Sequence, residues 1–286
     1  MTTILDAPVG ARRETRLLID TFFALLARDV RVIKREFGSF LIRLIMQPLL
    51  FVFVFAYVLP EIGAGVGGPS QGAVDAATGV TFSTILVPGL IAVSVNFQGV
   101  QAVAIPLVRD FSFSKEIEDR VLAPVPVWLV GLQKIASGAL QAIFAAFIVL
   151  PIVTTVHAAG QAPQLEPNWP LFLFVLIFSS TLMSSLGLLV GTLIDPNKLN
   201  LLFSVVILPI TFLGCVYYPW AALSTLPWLQ ALVCLNPLVY VSEGMRWALT
   251  PQLGHMPAWA VTLALVGGSI VCTLISLRTF TRRVVT

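Results

Sequence analysis

The sequence predicts an all-α membrane protein with six transmembrane helices, an N-terminal amphipathic interfacial helix and a re-entrant helical hairpin before the last span. Three observations carry this. Apolar residues make up 57% of the 286 residues and charged residues only 11%, against about 25% charge in soluble chains. The apolar residues gather in runs at 44–59, 81–107, 128–156, 171–194, 199–217 and 257–277, on the scale of the roughly 20 residues a helix needs to cross a bilayer. All but one of the 17 Lys and Arg fall on alternate connections, Arg246 being the exception. Short basic connections stay cytoplasmic, so six spans with both termini inside are expected. Helices are expected throughout because they satisfy their own backbone groups in lipid.

Residues 1–37 form the first unit, a cytoplasmic segment. Residues 1–15 contain Asp6 and Glu14 and lack an apolar core with a small-residue cleavage site, so the first span is expected to stay as a permanent anchor. Over 15–37, Phe22, Leu26, Val30, Ile33 and Phe37 recur at helical spacing. Arg28, Arg31 and Arg35 lie on roughly the opposite face. A basic amphipathic helix beside a span is an interfacial element, with its apolar stripe in the headgroup region. A solvated helix packed on a partner is compatible with the same pattern.

Residues 38–286 form the second unit, the six-span domain. Arg12, Arg13, Arg16, Arg28, Arg31, Lys34, Arg35 and Arg43 precede or open the first run, and the connection 60–80 has no Lys or Arg. Its six glycines and Pro69 predict an exposed outer loop. Arg109, Lys115, Arg120 and Lys134 mark the next connection as inner, and 157–170 again has none. Lys198, Arg278, Arg282 and Arg283 complete the inner set. Pro48, Pro88, Pro106 and Pro209 each remove a backbone donor inside a span and predict kinks. Gly187 and Gly191 permit a close helix approach, with packing inside the chain expected. No internal repeat of the kind common in secondary carriers is visible.

Most chemistries find no footing. No lysine follows a glycine as a phosphate-binding loop requires. His157 and His255 stand far apart, and Cys215, Cys234 and Cys272 lack metal-type spacing. No catalytic residue, metal or cofactor is expected on this chain. The net charge of +3 comes from inner-side basic residues and points to anionic lipid headgroups rather than nucleic acid. Central ionisable groups, the mark of ion-coupled carriers, are also missing from the spans.

Three places remain. The inner connection 109–127 holds a charged segment at about 112–124 that Ser114 can cap as a short helix, with Glu116 and Glu118 near its positive end. Ile117, Val121 and Leu122 give it an apolar tip, which suits docking to a soluble partner or dipping into lipid. The outer stretch at about 218–250 is too long and apolar for a plain loop. Trp220, Pro227, Trp228, Pro237, Tyr240 and Trp247 punctuate it, and it reads as a re-entrant hairpin. Within it Glu243 and Arg246, three residues apart, share a helical face, and a structural ion pair is the expected physical role. Asn96, Gln98 and Gln101 on the second span either line a pathway or hydrogen-bond between helices.

Taken together, these features resemble the permease of a type-2 ATP-binding cassette exporter. The most specific part runs from Pro209 through Gly214, Tyr217, Tyr218 and Pro219 to Leu226-Pro227-Trp228, then Asn236, Pro237 and Tyr240, and ends at Glu243-Gly-Met-Arg246. The family carries a Pro, a Gly, an aromatic-Pro pair, a Pro-x-Trp and an Asn-Pro…Arg in this order. Leu213 departs from the small residue usual before that Gly, which bears on substrate class. The basic start and the acidic connection ending at Leu122-Ala123-Pro124 resemble the family's connecting and coupling helices.

The resemblance covers nearly the whole chain. It implies export of a drug, lipid or lipid-linked glycan through two permease copies, identical or related. It further implies two cassette-type ATPase subunits holding ATP and Mg, in a prokaryotic plasma (inner) membrane. On this reading Glu116, Ile117, Glu118, Val121 and Leu122 contact the ATPase. A stand-alone carrier or channel is the rival, and it requires no ATPase.

Overall fold

The computed structural model describes residues 11–35, 37–58, 82–111, 126–157, 162–194 and 207–285. The loop at 60–80 and the acidic segment with Glu116, Ile117, Glu118, Val121 and Leu122 lie outside them, as does the first part of the fifth apolar run.

Every element among the described residues is helical. Helix α1 is Ala11–Arg35. Helix α2, Phe37–Val52, contains Pro48 and runs into a π-helical turn, Phe53–Val58. Then come α3 (Phe82–Arg109), α4 (Val127–Thr155), α5 (Trp169–Leu193) and the short α6 (Leu208–Phe212). A 3₁₀ turn at Trp220–Thr225 leads to α7 (Pro227–Val233) and α8 (Pro237–Leu249), and α9 (Ala258–Val285) closes the chain. Four helices, α3, α4, α5 and α9, are long and apolar enough to cross a membrane. The α1–α2 pair, bent by 88°, makes a fifth if it is counted as one span. The described residues therefore account for four or five of the six expected spans. The fifth apolar run, 199–217, is described only from Ile207 onward.

Local chemistry explains the boundaries. Asn168 caps α5 by accepting the Leu171 N–H at 3.3 Å, with Pro170 in the first turn. Asn236 caps α8 by accepting the Leu238 N–H at 2.9 Å, with Pro237 at the first helical position. Proline suits that position because its missing N–H is one the helix leaves unbonded anyway.

Helix α3 is the centre of the bundle. It packs on α4, α5 and α8, and 67% of its apolar window is buried against 22% for α9. Small residues set these distances. A methyl group on Gly187 would stand 2.6 Å from the Val100 carbonyl oxygen, and one on Gly191 would stand 2.9 Å from Ala104 Cα. The Gly-x-x-x-Gly pair thus seats α5 on α3 inside the chain. At the far end of α3, a methyl on Gly89 would fall 1.9 Å from the Val216 carbonyl oxygen. The backbone after α6 presses there directly on the helix, and Cys215 turns it with φ 50°. The three cysteines are free thiols.

The buried line of α1 differs from the stripe read from the sequence. Phe22, Leu26 and Ile33 are half-buried, but Val30 and Phe37 are 38% and 45% exposed. Asp29 takes the inward place of Val30, because its Oδ2 accepts the Gln133 side-chain N–H of α4 at 2.6 Å. A hydrogen-bonded polar contact has displaced an apolar one. Leu17, Ile19 and Phe23 face outward.

Candidate functional site

Two regions gather the side chains that carry chemistry. The first is the hairpin formed by the 3₁₀ turn, α7 and α8. Helix α8 is wedged among α3, α5 and α9. The Asn168 N–H donates to the Ala248 carbonyl at 2.9 Å, and the Gln164 N–H to Thr84 Oγ1 at 2.9 Å. These bonds place the hairpin at the end of the bundle away from Arg109 and Lys134.

Glu243 and Arg246 are both fully buried, and Arg246 Nη1 donates to Glu243 Oε1. Glu243 Oε1 also accepts the Trp220 N–H at 2.9 Å, and Oε2 accepts the Met256 N–H at 2.9 Å. Arg246 Nη2 reaches the Cys215 carbonyl at 3.4 Å. One carboxylate thus fastens the 3₁₀ turn, α8 and the strap leading into α9. Such a pair is tolerable in a dry interior only with its remaining lone pairs satisfied, and three donors converge here on two oxygens. Arg246 Nε is left without a partner among the described residues.

The other hairpin residues read from the sequence fall around this pair. Tyr217 stacks on Phe55 with ring centroids 4.6 Å apart, its hydroxyl buried without a partner among the described residues. Tyr218 is half-buried against the same core, and Pro219 opens the 3₁₀ turn. Asn236 Nδ2 donates to the Ile210 carbonyl at 2.7 Å, tying the start of α8 to α6.

The second region is a cleft of about 440 Å³ between α1 and α2 on one side and α3 and α4 on the other. Gln98 and Gln101 line it, together with Gln141 of α4. Gln98 Nε2 donates to Gln141 Oε1 at 3.3 Å. Asn96 is not among the lining residues. It is fully buried, and its Nδ2 donates to Thr211 Oγ1 on α6 at 3.2 Å. The pathway trio therefore divides: two residues face the cleft, and Asn96 takes the alternative role of a helix–helix hydrogen bond.

Charges collect at one end of this cleft. Lys134 Nζ donates to Asp110 Oδ2 at 2.8 Å, and Arg28 Nη2 lies 3.3 Å from Asp29 Oδ1. Arg109 completes the group. Of the basic face of α1, Arg28 lines the cleft, and Arg31 and Arg35 are exposed. Asp29, Asp110, Gln133 and Gln141 were not singled out. Their signal was faint: an acid inside a basic helix, an acid beside Arg109, and amides inside an apolar run.

A bundle of helices with bilayer-length apolar segments, a hairpin packed at one end and a cleft of apolar walls with amide and charged groups at the other defines an integral membrane protein. A family model described as ABC-2 type transporter matches residues 20–250, and the chain belongs to that family. It is also similar to the inner membrane transport permease YadH of Escherichia coli (strain K12), 29% identical over 170 residues, covering 59% of this chain and 63% of that protein. The same figures hold for YadH of Escherichia coli O157:H7 and of Shigella flexneri. The matched stretch is thus less than two thirds of the length of these relatives.

Proposed function

We propose that the chain is the membrane-spanning permease subunit of an ATP-driven exporter in a prokaryotic inner membrane. It moves a hydrophobic or amphipathic substrate, such as a drug, lipid or lipid-linked glycan, out of the cytoplasm or inner leaflet. The chain itself carries no ATPase site. Two cassette-type ATPase subunits, holding ATP and Mg, drive a pathway built with a second permease copy, identical or related.

The observation that carries this reading is the cleft: in a member of this family, a cavity with apolar walls and amide and charged groups along its length suits an amphipathic substrate. ATP-driven closure of the partner subunits shifts the population of inward- and outward-open states. Glu116, Ile117, Glu118, Val121 and Leu122 receive that motion, and the basic helix α1 rides on the membrane surface. The hairpin with Tyr217, Tyr218, Pro219, Asn236, Pro237, Glu243 and Arg246 forms the outer gate. Gln98 and Gln101 lie on the path.

The test is reconstitution of the chain in proteoliposomes with and without a cassette-type ATPase partner. Efflux of a fluorescent amphipath that needs both the ATPase and hydrolysable ATP supports the proposal. Equal efflux without the ATPase overturns it in favour of a stand-alone carrier.

A further inference from the structure

We infer that the cleft is a binding site for a single-chain anionic amphipath, whose acidic head meets Arg109 while its chain lies along Phe40, Leu44 and Phe97. Charge accounting at the cleft's end motivates the head. Among the described lining residues, Arg28, Arg109 and Lys134 face two carboxylates, Asp29 and Asp110, which leaves one net positive charge. Both carboxylates are already engaged. Asp110 holds Lys134 at 2.8 Å, and Asp29 accepts Gln133 at 2.6 Å beside Arg28 at 3.3 Å. Arg109 is exposed and has no ion pair among the described residues. Its fork of donors is free to grip a carboxylate or phosphate in two-point fashion.

The chain follows from what lies beyond that end. Phe40, Leu44 and Pro48 of α2 face Val93, Phe97 and Ile105 of α3 across the cleft. A zwitterionic head gains less here than an anionic one, since its cation finds no unengaged carboxylate among the described lining residues. At about 440 Å³ the cleft sits in the lower half of the roughly 300–1,000 Å³ range of small-molecule sites. That suits one chain rather than a bulky glycan.

This inference rests on reading the cleft as the inner mouth of an exporter, but its test reads binding alone. The purified chain in phosphatidylcholine nanodiscs is titrated with a dansyl-labelled undecanoic acid. Saturable binding displaced by lysophosphatidylglycerol, and displaced far less by lysophosphatidylcholine or inorganic phosphate, is the expected result. Arg109→Gln weakens it about tenfold, as loss of one charge-assisted grip should. Ala102→Phe, which fills the cleft, abolishes it, while Arg278→Gln removes a charge elsewhere and leaves it intact.

Equal displacement by both lysolipids, or full binding in Arg109→Gln, overturns the anionic assignment. Displacement by phosphate alone reduces the site to a simple anion site and overturns the amphipath. Binding that survives Ala102→Phe moves it out of the cleft. ATP-driven export without this binding would leave the proposed function standing and sink the inference. Binding without any ATP-driven export would do the reverse.

Discussion

Glu243 on α8 accepts the backbone N–H of Met256 at 2.9 Å, thirteen residues further along the chain. The same carboxylate holds Arg246 and the Trp220 N–H. The ion pair is therefore more than compensation between two adjacent charges. It is the knot that fastens the 3₁₀ turn, α8 and the lead into α9. Removing one member leaves the other charged and dry.

Glu243→Gln or Arg246→Gln alone should therefore cost roughly 3–5 kcal/mol of stability, while the double replacement costs less than the sum of the two. Thermal unfolding of the four proteins in neutral detergent gives the cycle. Harmless or additive single changes would mean the pair is solvated, and the gate would lose its physical basis.

Close packing at two glycines of different surroundings gives a second expectation. A methyl on Gly89 collides with the Val216 carbonyl oxygen at 1.9 Å, whereas one on Gly267 meets nothing within 4 Å. Gly89→Ala should destabilise at the upper end of the roughly 1–3 kcal/mol typical of overpacking, because the obstacle is backbone. Gly267→Ala should be neutral or stabilise by up to about 1 kcal/mol, through better helix formation. Melting temperatures that move the same way for both would contradict the packing described for α3.

The helices were legible in the sequence because apolar length and basic alternation act at long range and need no partner. The runs at 81–107, 128–156 and 171–194 became α3, α4 and α5 with ends shifted by at most two residues, and the run at 257–277 became α9, which continues eight residues further to Val285. The partnership of Glu243 and Arg246 was legible because i, i+3 spacing is local. What could not be read is what depends on residues far apart. Asn96 is five residues from Gln101, yet it bonds Thr211 of α6 instead of facing the cleft. Asp29 displaces Val30 from the inner line only because Gln133 stands opposite. A polar residue in an apolar run signals a partner without naming it.

Topology yields a third expectation. In a chain freed of its native cysteines, single cysteines at positions 115 and 283 should resist a membrane-impermeant thiol reagent in sealed cells, and one at position 166 should react. The asymmetry of Lys and Arg motivates this. Labelling at 115 from outside would invert the chain and remove the ATPase-docking assignment with it.

Coupling can be tested separately from folding. Glu116→Arg or Leu122→Asp should leave membrane insertion intact but reduce ATPase co-purification and substrate-stimulated hydrolysis at least several-fold. The sequence expects a short charged helix with an apolar tip here, and such an element would dock through both features. Full coupling in both variants would place the contact elsewhere.

The clasp between α1 and α4 supplies the last expectation. Gln133 is buried to 1% exposure, and its side-chain amide donates to Asp29. The next residue, Lys134, holds Asp110 at the end of α3. Two adjacent positions on α4 thus bind α1 and α3 to one helix. Asp29→Ala leaves a buried amide donor without its acceptor, which costs about 1–3 kcal/mol. Asp29→Asn keeps an acceptor oxygen and should cost less. Because α1 forms one wall of the cleft, loss of the clasp should also free α1 from the bundle. Trypsin should then cleave after Arg28 and Arg31 several-fold faster in Asp29→Ala than in the parent chain, with Asp29→Asn between them. Lys134→Ala, by contrast, should loosen α3 from α4 while leaving α1 protected. If Asp29→Ala melts and digests like the parent, α1 is held by its apolar residues alone, and Asp29 faces Gln133 without fastening it.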